Sequence, residues 1–264
     1  WEGAFFRIED YLDRFEVSMK KMRLDVGMDR SAIRNALIEL VATSGLQSAY
    51  VSMVASRGTP LIPGTRDPRG CRNHFYAWAV PFIWVIPEAV AKRGAHISVA
   101  RDSRRIPSNS VDPTVKNYHW GDMTAALFQA LDAGYDTTVL LDHNNLVTEG
   151  PGFNIFAVIN GKVVTPKSGM LEGISRKTVL EICAALDIPC VATDISEEAF
   201  MNAEEVFTAT TAGGPVPVTR VNGRIFGNDA IGPLTAKILH TYWDWHKRED
   251  LALKIRYTPT SELT

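Results

Sequence analysis

The chain has 264 residues, 45% of them hydrophobic and 22% charged, which is the composition of a globular protein with enough length for one large or two modest cores. With 28 basic residues against 30 acidic ones, a formal net charge of -2 gives no global attraction to nucleic acid or to an anionic membrane, so a small neutral or zwitterionic partner fits better. Cys71, Cys183 and Cys190 lack CxxC spacing, which argues against a disulfide framework or a zinc site, and the apolar run "FYAWAVPFIWVIP" is short and interrupted by Pro81 and Pro87.

In chain order, Ile8, Leu12, Phe15, Met19 and Met22 recur at spacings of three and four, which predicts an amphipathic helix with Arg14 off its apolar stripe. Asp29 is a candidate N-cap for a second helix that Gly45 ends. "AYVSMVASRG" and "NHFYAWAVPF" read as strands flanking the loop "GTPLIPGTRDPRGCR", and a loop of that length in a compact domain is commonly functional. Prolines 81 and 87 mark an interdomain connection over residues 81–87, between a small N-terminal α/β domain (1–80) and a large C-terminal domain (88–264). Beyond it, "AHISVAR" reads as a strand, "WGDMTAALFQALDAG" as a helix, "TTVLLDHNN" as a strand and turn, and "NIFAVINGKVVTP" as a hairpin with Asn-Gly at its tip. "SRKTVLEICAALDI" is then a helix, followed by "CVATDIS", "EEAFMNA" and "EVFTATTAGG" as strand, helix and strand. The order is α+β with mixed α/β domains, and no regular βαβ series imposes a dinucleotide-binding topology.

Four stretches carry candidate chemistry. "PTVKNY" is expected to be extended, with Val115 and Asn117 on one side and Lys116 and Tyr118 on the other. Lys116 reads either as a solvated surface amine or as a desolvated lysine that forms a Schiff base. "TEGPGFN" puts Glu149 before a tight turn, as an exposed carboxylate or as the anionic partner of a protonated ring nitrogen. "LEGISR" sets Gly173, Ile174 and Ser175 at a helix start, where free N–H groups favour a phosphate and Ser175 is a candidate N-cap. "TTAGG" offers the hydroxyls of Thr210 and Thr211 before small residues that admit a ligand close to the backbone. The six histidines have no metal-ligand spacing and no GxSxG serine is present.

Taken in order, Arg14 in "YLDRF", Lys116 in "PTVKNY", Glu149 in "TEGPGFN", then "LEGISR" and "TTAGG" resemble the signature of the fold-type IV pyridoxal-phosphate enzymes. Within that group, "SRGTPLIPGTRDP", "SVDPTVKNYHWGD" and "GPGFNIF" are most similar to the (R)-selective amine:pyruvate transaminases. The resemblance implies two mixed α/β domains with pyridoxal 5'-phosphate (PLP) at their interface. It makes Lys116 the Schiff-base lysine that also carries the substrate proton, and Glu149 the carboxylate at the pyridine nitrogen. Arg14, Ile174, Ser175 and Thr211 match the phosphate cup, with Gly173 and Thr210 beside it, and Leu171 matches the apolar residue against one ring face. Arg66 matches a loop arginine that meets the keto acid's carboxylate. Trp120, Thr210 and Ala212 border the substrate pocket, and Gly121 stands where many relatives carry a tyrosine.

The activity implied is transfer of an amino group from a primary (R)-amine to a keto acid such as pyruvate. A D-amino-acid or branched-chain aminotransferase is the alternative on the same fold, and a non-catalytic PLP-binding relative is the third reading. The resemblance also implies a homodimer acting on small molecules, with further strands ahead of "WEGAFF", while the sparse cysteines and the short apolar runs lead to the expectation of a cytoplasmic protein.

Overall fold

Helix formation near the N-terminus follows the apolar spacing closely. In the computed structural model, which describes residues 1–257, helix α1 spans Ile8–Met22 and helix α2 spans Arg30–Ser44. The Asp29 carboxylate accepts from the Ala32 N–H at 2.7 Å, and Gly45 closes the helix in the left-handed region at φ 69. Strand β1 (Ala4–Phe6) precedes α1 and pairs antiparallel with Ala252–Lys254. Strands β2 (Ala49–Pro60) and β3 (Cys71–Pro81) form a long antiparallel hairpin. Both strands run further than the pattern of the sequence implies, so the loop between them shrinks. Ile8, Leu12, Ile33 and Leu37 bury against one another, with Phe15, Val51, Met53, Phe75 and Ala77 packed around them.

The described residues divide into two compact units, Trp1–Ile83 with the segment from His246 onward, and Trp84–Trp245. The break at 83/84 lies inside the 81–87 connection. The segment after Trp245, expected with the C-terminal domain, belongs instead to the N-terminal unit, because Ala252–Lys254 adds a strand beside β1.

The second unit opens with a short helix that the sequence pattern does not reveal, α3 (Glu88–Arg93). Strand β4 (Ala95–Arg104), helix α4 (Gly121–Asp132) and strands β5 (Thr137–Leu141), β6 (Glu149–Gly150), β7 (Phe153–Ile159) and β8 (Lys162–Pro166) follow. Helix α5 (Ile174–Ala185), strand β9 (Cys190–Thr193), helix α6 (Glu197–Met201), strands β10 (Glu205–Thr210) and β11 (Gly214–Val221) and helix α7 (Pro233–Trp245) complete it.

The strands make one mixed sheet in the order β5-β4-β11-β10-β7-β8-β9, with β6 on β7 and Arg224–Ile225 on β11. Asn160 and Gly161, both at positive φ, make the β7–β8 turn as the Asn-Gly signal requires. Phe156 and Phe207, directly opposite on β7 and β10, stack with centroids 4.8 Å apart. Strand β11 was hidden by Pro215 and Pro217, residues that normally mark an edge. It is nevertheless central and buried, because its pairing with β4 begins only at Val218, past both prolines. Among the described residues no helix is long and apolar enough to cross a membrane.

Candidate active site

Lys116 does not lie on a strand. The segment from Arg105 to Trp120 is irregular, with turns at 108–110 and 113–114. The reason is local hydrogen bonding: Asp112 accepts from the Thr114 N–H (2.9 Å) and hydroxyl (2.6 Å), and Asn117 from the His119 N–H (2.9 Å), so side chains replace a ladder. Burial still alternates as expected of two faces: Val115 is 4% exposed, Asn117 half-buried, and Lys116 and Tyr118 exposed. The Lys116 Nζ stands 6.0 Å from the Trp120 ring centroid.

Glu149 is buried, not an exposed turn carboxylate, and β6 pairs it with Asn154 on β7 while Pro151 and Gly152 make the turn. Its Oε1 accepts from the Arg105 Nε at 3.2 Å and Nη2 at 3.1 Å, and its Oε2 from the Leu171 N–H at 3.0 Å. Arg105 continues to Asp122 at the start of α4, donating from Nη1 to Oδ2 at 2.7 Å. The same Asp122 oxygen accepts from the Ile106 N–H at 2.8 Å. Desolvation in this buried setting pushes the Glu149 carboxyl above the usual carboxylate range. The Arg105 charge, the Leu171 N–H and the Lys116 ammonium pull it back. The carboxylate is therefore held by a cation on one oxygen and a backbone donor on the other, which fixes its orientation.

From Leu171 the backbone turns directly into α5. The Leu171 carbonyl accepts from the Gly173 N–H and from Asn154 Nδ2, both at 2.8 Å. Gly173, not Ser175, is the N-cap, and no side chain caps the helix. Ser175 sits in the first turn, buried, with its Oγ 2.9 Å from the hydroxyl of Tyr242 on α7. Neighbouring Arg176 is tied away to β8 through the Pro166 carbonyl at 3.0 Å.

On β10, the Thr210 hydroxyl donates to the Gly152 carbonyl at 2.8 Å, and the Ala212 carbonyl accepts from the Val85 N–H at 2.9 Å. Thr211 is exposed at the turn and Ala212 buried. Gly152 has φ +88, and a Cβ on it would stand 3.2 Å from Val85 and 3.6 Å from Trp120. Thus Lys116, Trp120, Glu149, Leu171, Gly173, Ile174, Ser175, Thr210, Thr211 and Ala212 all belong to the Trp84–Trp245 unit.

Arg14 and Arg66 belong to the other unit. Arg14 is half-buried on α1, its guanidinium 5.4 Å from the Tyr11 ring centroid, and burial lowers its pKa. Arg66 is exposed in the loop 61–67. The sequence reading did not single out Arg105, Asp122, Asn154 or Tyr242. An arginine eleven residues before a lysine and a tyrosine inside an amphipathic helix carry no local signal.

The residues present suit PLP. A buried anchored carboxylate fits a protonated ring nitrogen, an uncapped helix N-terminus with a hydroxyl in its first turn fits a phosphate, and the exposed Lys116 amine is of the chemical type that a covalent anchor needs.

A family model described as amino-transferase class IV matches residues 1–221. The branched-chain-amino-acid aminotransferase of Pseudomonas aeruginosa is 28% identical over 242 residues, covering 91% of this chain and 78% of that protein. Among solved structures, branched-chain aminotransferase from Thermoproteus uzoniensis with norvaline has a TM-score of 0.86 and 29% identity, covering 97% of this chain and 87% of the other. The T.th. branched-chain amino acid aminotransferase with pyridoxamine 5'-phosphate gives a TM-score of 0.88 at 25% identity, covering 97% and 86%.

Proposed function

The chain belongs to the class IV aminotransferases, and from that premise we propose that it moves an amino group between a branched-chain amino acid and a 2-oxo acid, using PLP. The observation that carries the reading is similarity along nine-tenths of the chain to enzymes named for that activity. The apolar side chains of Val85 and Trp120 around the Gly152 turn are consistent with it, since they suit an aliphatic donor.

PLP, when bound, supplies the electron sink that lets a bond at the amino carbon break. The chain's own residues do the rest. Lys116 Nζ would anchor the cofactor and, once the donor's amino group has displaced it from that bond, would be the free amine that takes up and gives back the proton of the amino carbon. Glu149, oriented by Arg105 and the Leu171 N–H, keeps the ring nitrogen protonated. The Ile174 and Ser175 end of α5 would hold the phosphate through backbone N–H groups, the Ser175 hydroxyl and the helix dipole, with the Thr211 hydroxyl as a further donor. Leu171 would pack against one face of the ring, and Thr210 and Ala212 would bound the smaller side of the pocket.

A second reading, an (R)-selective amine transaminase, rests on two features. Gly121 stands where the resemblance implies a tyrosine in many members, and Arg66 stands on an exposed Gly/Pro loop, which suits a site that must take a carboxylate in one half-reaction only. Donor comparison separates the readings. Purified protein with PLP and either 2-oxoglutarate or pyruvate is offered leucine, valine, D-alanine and both enantiomers of α-methylbenzylamine. Turnover of leucine and valine supports the leading reading; turnover of (R)-α-methylbenzylamine without them overturns it in favour of the second. The active form is taken as a homodimer, which sedimentation of the purified protein checks.

A further inference from the structure

We propose that Tyr242 is the positioning residue of the phosphate cup, setting the direction of the Ser175 hydroxyl and tying together the cup's two backbone segments. The inference rests on the PLP reading above and concerns a residue on a helix, α7, that the site's motifs do not include.

Three observations support it. The Ser175 Oγ and the Tyr242 hydroxyl lie 2.9 Å apart, and both residues are 2% exposed. A hydroxyl has one proton to give. If Ser175 gave its proton to Tyr242, only a lone pair would remain to face an anion. When Tyr242 is the donor, the Ser175 proton is left for a phosphate oxygen, so the pair has a defined polarity whenever an anion sits at the helix end.

The second observation is that the same ring reaches the other side of the cup. Gly214, at φ +67 just after the Thr210–Gly213 turn, lies so close that a Cβ there would stand 2.9 Å from Tyr242 Cε1 and 3.1 Å from Cδ1. Tyr242 therefore touches the α5 N-terminus with its hydroxyl and the β10–β11 turn with its ring edge.

Third, α7 is itself anchored to the strand that carries Thr210. Glu205 on β10, 9% exposed, accepts from the Leu234 N–H at 3.1 Å and from the Thr235 N–H and hydroxyl at 2.8 and 2.7 Å. A carboxylate on the first N–H groups of a helix is a strong cap. It leaves α7 little freedom to slide relative to β10. Both ends of α7 are thus fixed by features that the reacting atoms do not require.

The test is cofactor affinity, read by absorbance and by quenching of tryptophan fluorescence on titrating cofactor-free protein with PLP and, separately, with pyridoxal, which lacks the phosphate. Tyr242→Phe keeps the ring on Gly214 and removes only the hydroxyl. The expected result is a PLP dissociation constant raised roughly tenfold, with the pyridoxal constant unchanged. Ser175→Ala should give a similar loss, and the double variant no more than either alone. Equal weakening for PLP and pyridoxal, no weakening at all, or additive losses in the double variant would each overturn the proposal. If Tyr242→Phe does not fold, the same PLP-to-pyridoxal split measured on Ser175→Ala decides, and its absence overturns the proposal. Failure of the wild type to take up PLP refutes the cofactor reading, and this inference with it. Uptake by the wild type with no phosphate-selective change in the variants refutes this inference alone.

Discussion

Replacing Arg105 with methionine keeps most of the stem volume and removes one cation from between two buried carboxylates. The Arg105, Glu149 and Asp122 side chains are 7%, 6% and 7% exposed, so none can turn to water for compensation. Removing one partner of such a pair costs about 3–5 kcal/mol. The loss should fall toward the lower end, because Glu149 keeps the Leu171 N–H and Asp122 keeps those of Ile106 and Met123. At about 2–4 °C of Tm per kcal/mol, a loss of about 3 kcal/mol should drop the midpoint by roughly 6–12 °C at neutral pH. The pH dependence has a definite sign. Burial already raises the folded-state pKa of Glu149 above its ordinary value of 4.5, with Arg105 the leading influence that opposes the rise, so the variant raises it further. A raised carboxyl pKa contributes stability that is full below the unfolded value and is lost as pH rises through the folded one. The difference between wild type and Arg105→Met should therefore be smallest near pH 4.5 and grow as pH rises above it. Thermal unfolding followed by circular dichroism at a series of pH values measures this. A midpoint difference under about 2 °C at neutral pH, or one that does not change with pH, would refute the argument that Arg105 compensates a buried carboxylate.

Glu149→Gln removes the charge while Arg105 retains Asp122, so stability should change less than in Arg105→Met while kcat falls by about 10²-fold, checked by steady-state kinetics and unfolding on the same preparation. Lys116→Ala should abolish transamination, and borohydride should then fix no cofactor to the 105–120 peptide, which mass spectrometry reads. Asp29→Ala removes the carboxylate that accepts from the Ala32 N–H and should cost about 1 kcal/mol of stability with kcat/KM unchanged.

Legibility in the sequence followed the range of the interactions. Helices α1 and α2 and the β7–β8 turn were readable because spacing, an Asx cap and Asn-Gly are local signals. The motif residues of the second unit were assigned roles by the resemblance of five short stretches in order, since each stretch alone left a structural alternative open. What stayed hidden depends on contacts far apart in the chain. Arg105 meets Glu149 across 44 residues and Ser175 meets Tyr242 across 67, and neither arginine nor tyrosine announces such a partner. The stretch around Lys116 was expected to be extended, whereas Asp112 and Asn117 turn their side chains onto the backbone and replace the ladder. Strand β11 was lost behind two prolines that a purely local rule assigns to an edge.

The Gly152 turn is where the fold and donor choice meet. At φ +88 an alanine is strained by about 1–2 kcal/mol, and its methyl would press on Val85 at 3.2 Å and approach Trp120 at 3.6 Å. The Gly152 carbonyl also receives the Thr210 hydroxyl, so a shift of this turn would reach both sides of the proposed donor pocket at once. Lys116 and Glu149 are held by other contacts, the latter by Arg105 and Leu171. Gly152→Ala should therefore lower kcat/KM several-fold more for leucine than for alanine as donors, while the PLP dissociation constant stays within about twofold. A uniform loss across donors would mean that the turn serves stability alone and that Val85 and Trp120 do not border the donor. A selective loss would place the donor's side chain against those two residues, and would make position 152 the first to vary in altering specificity.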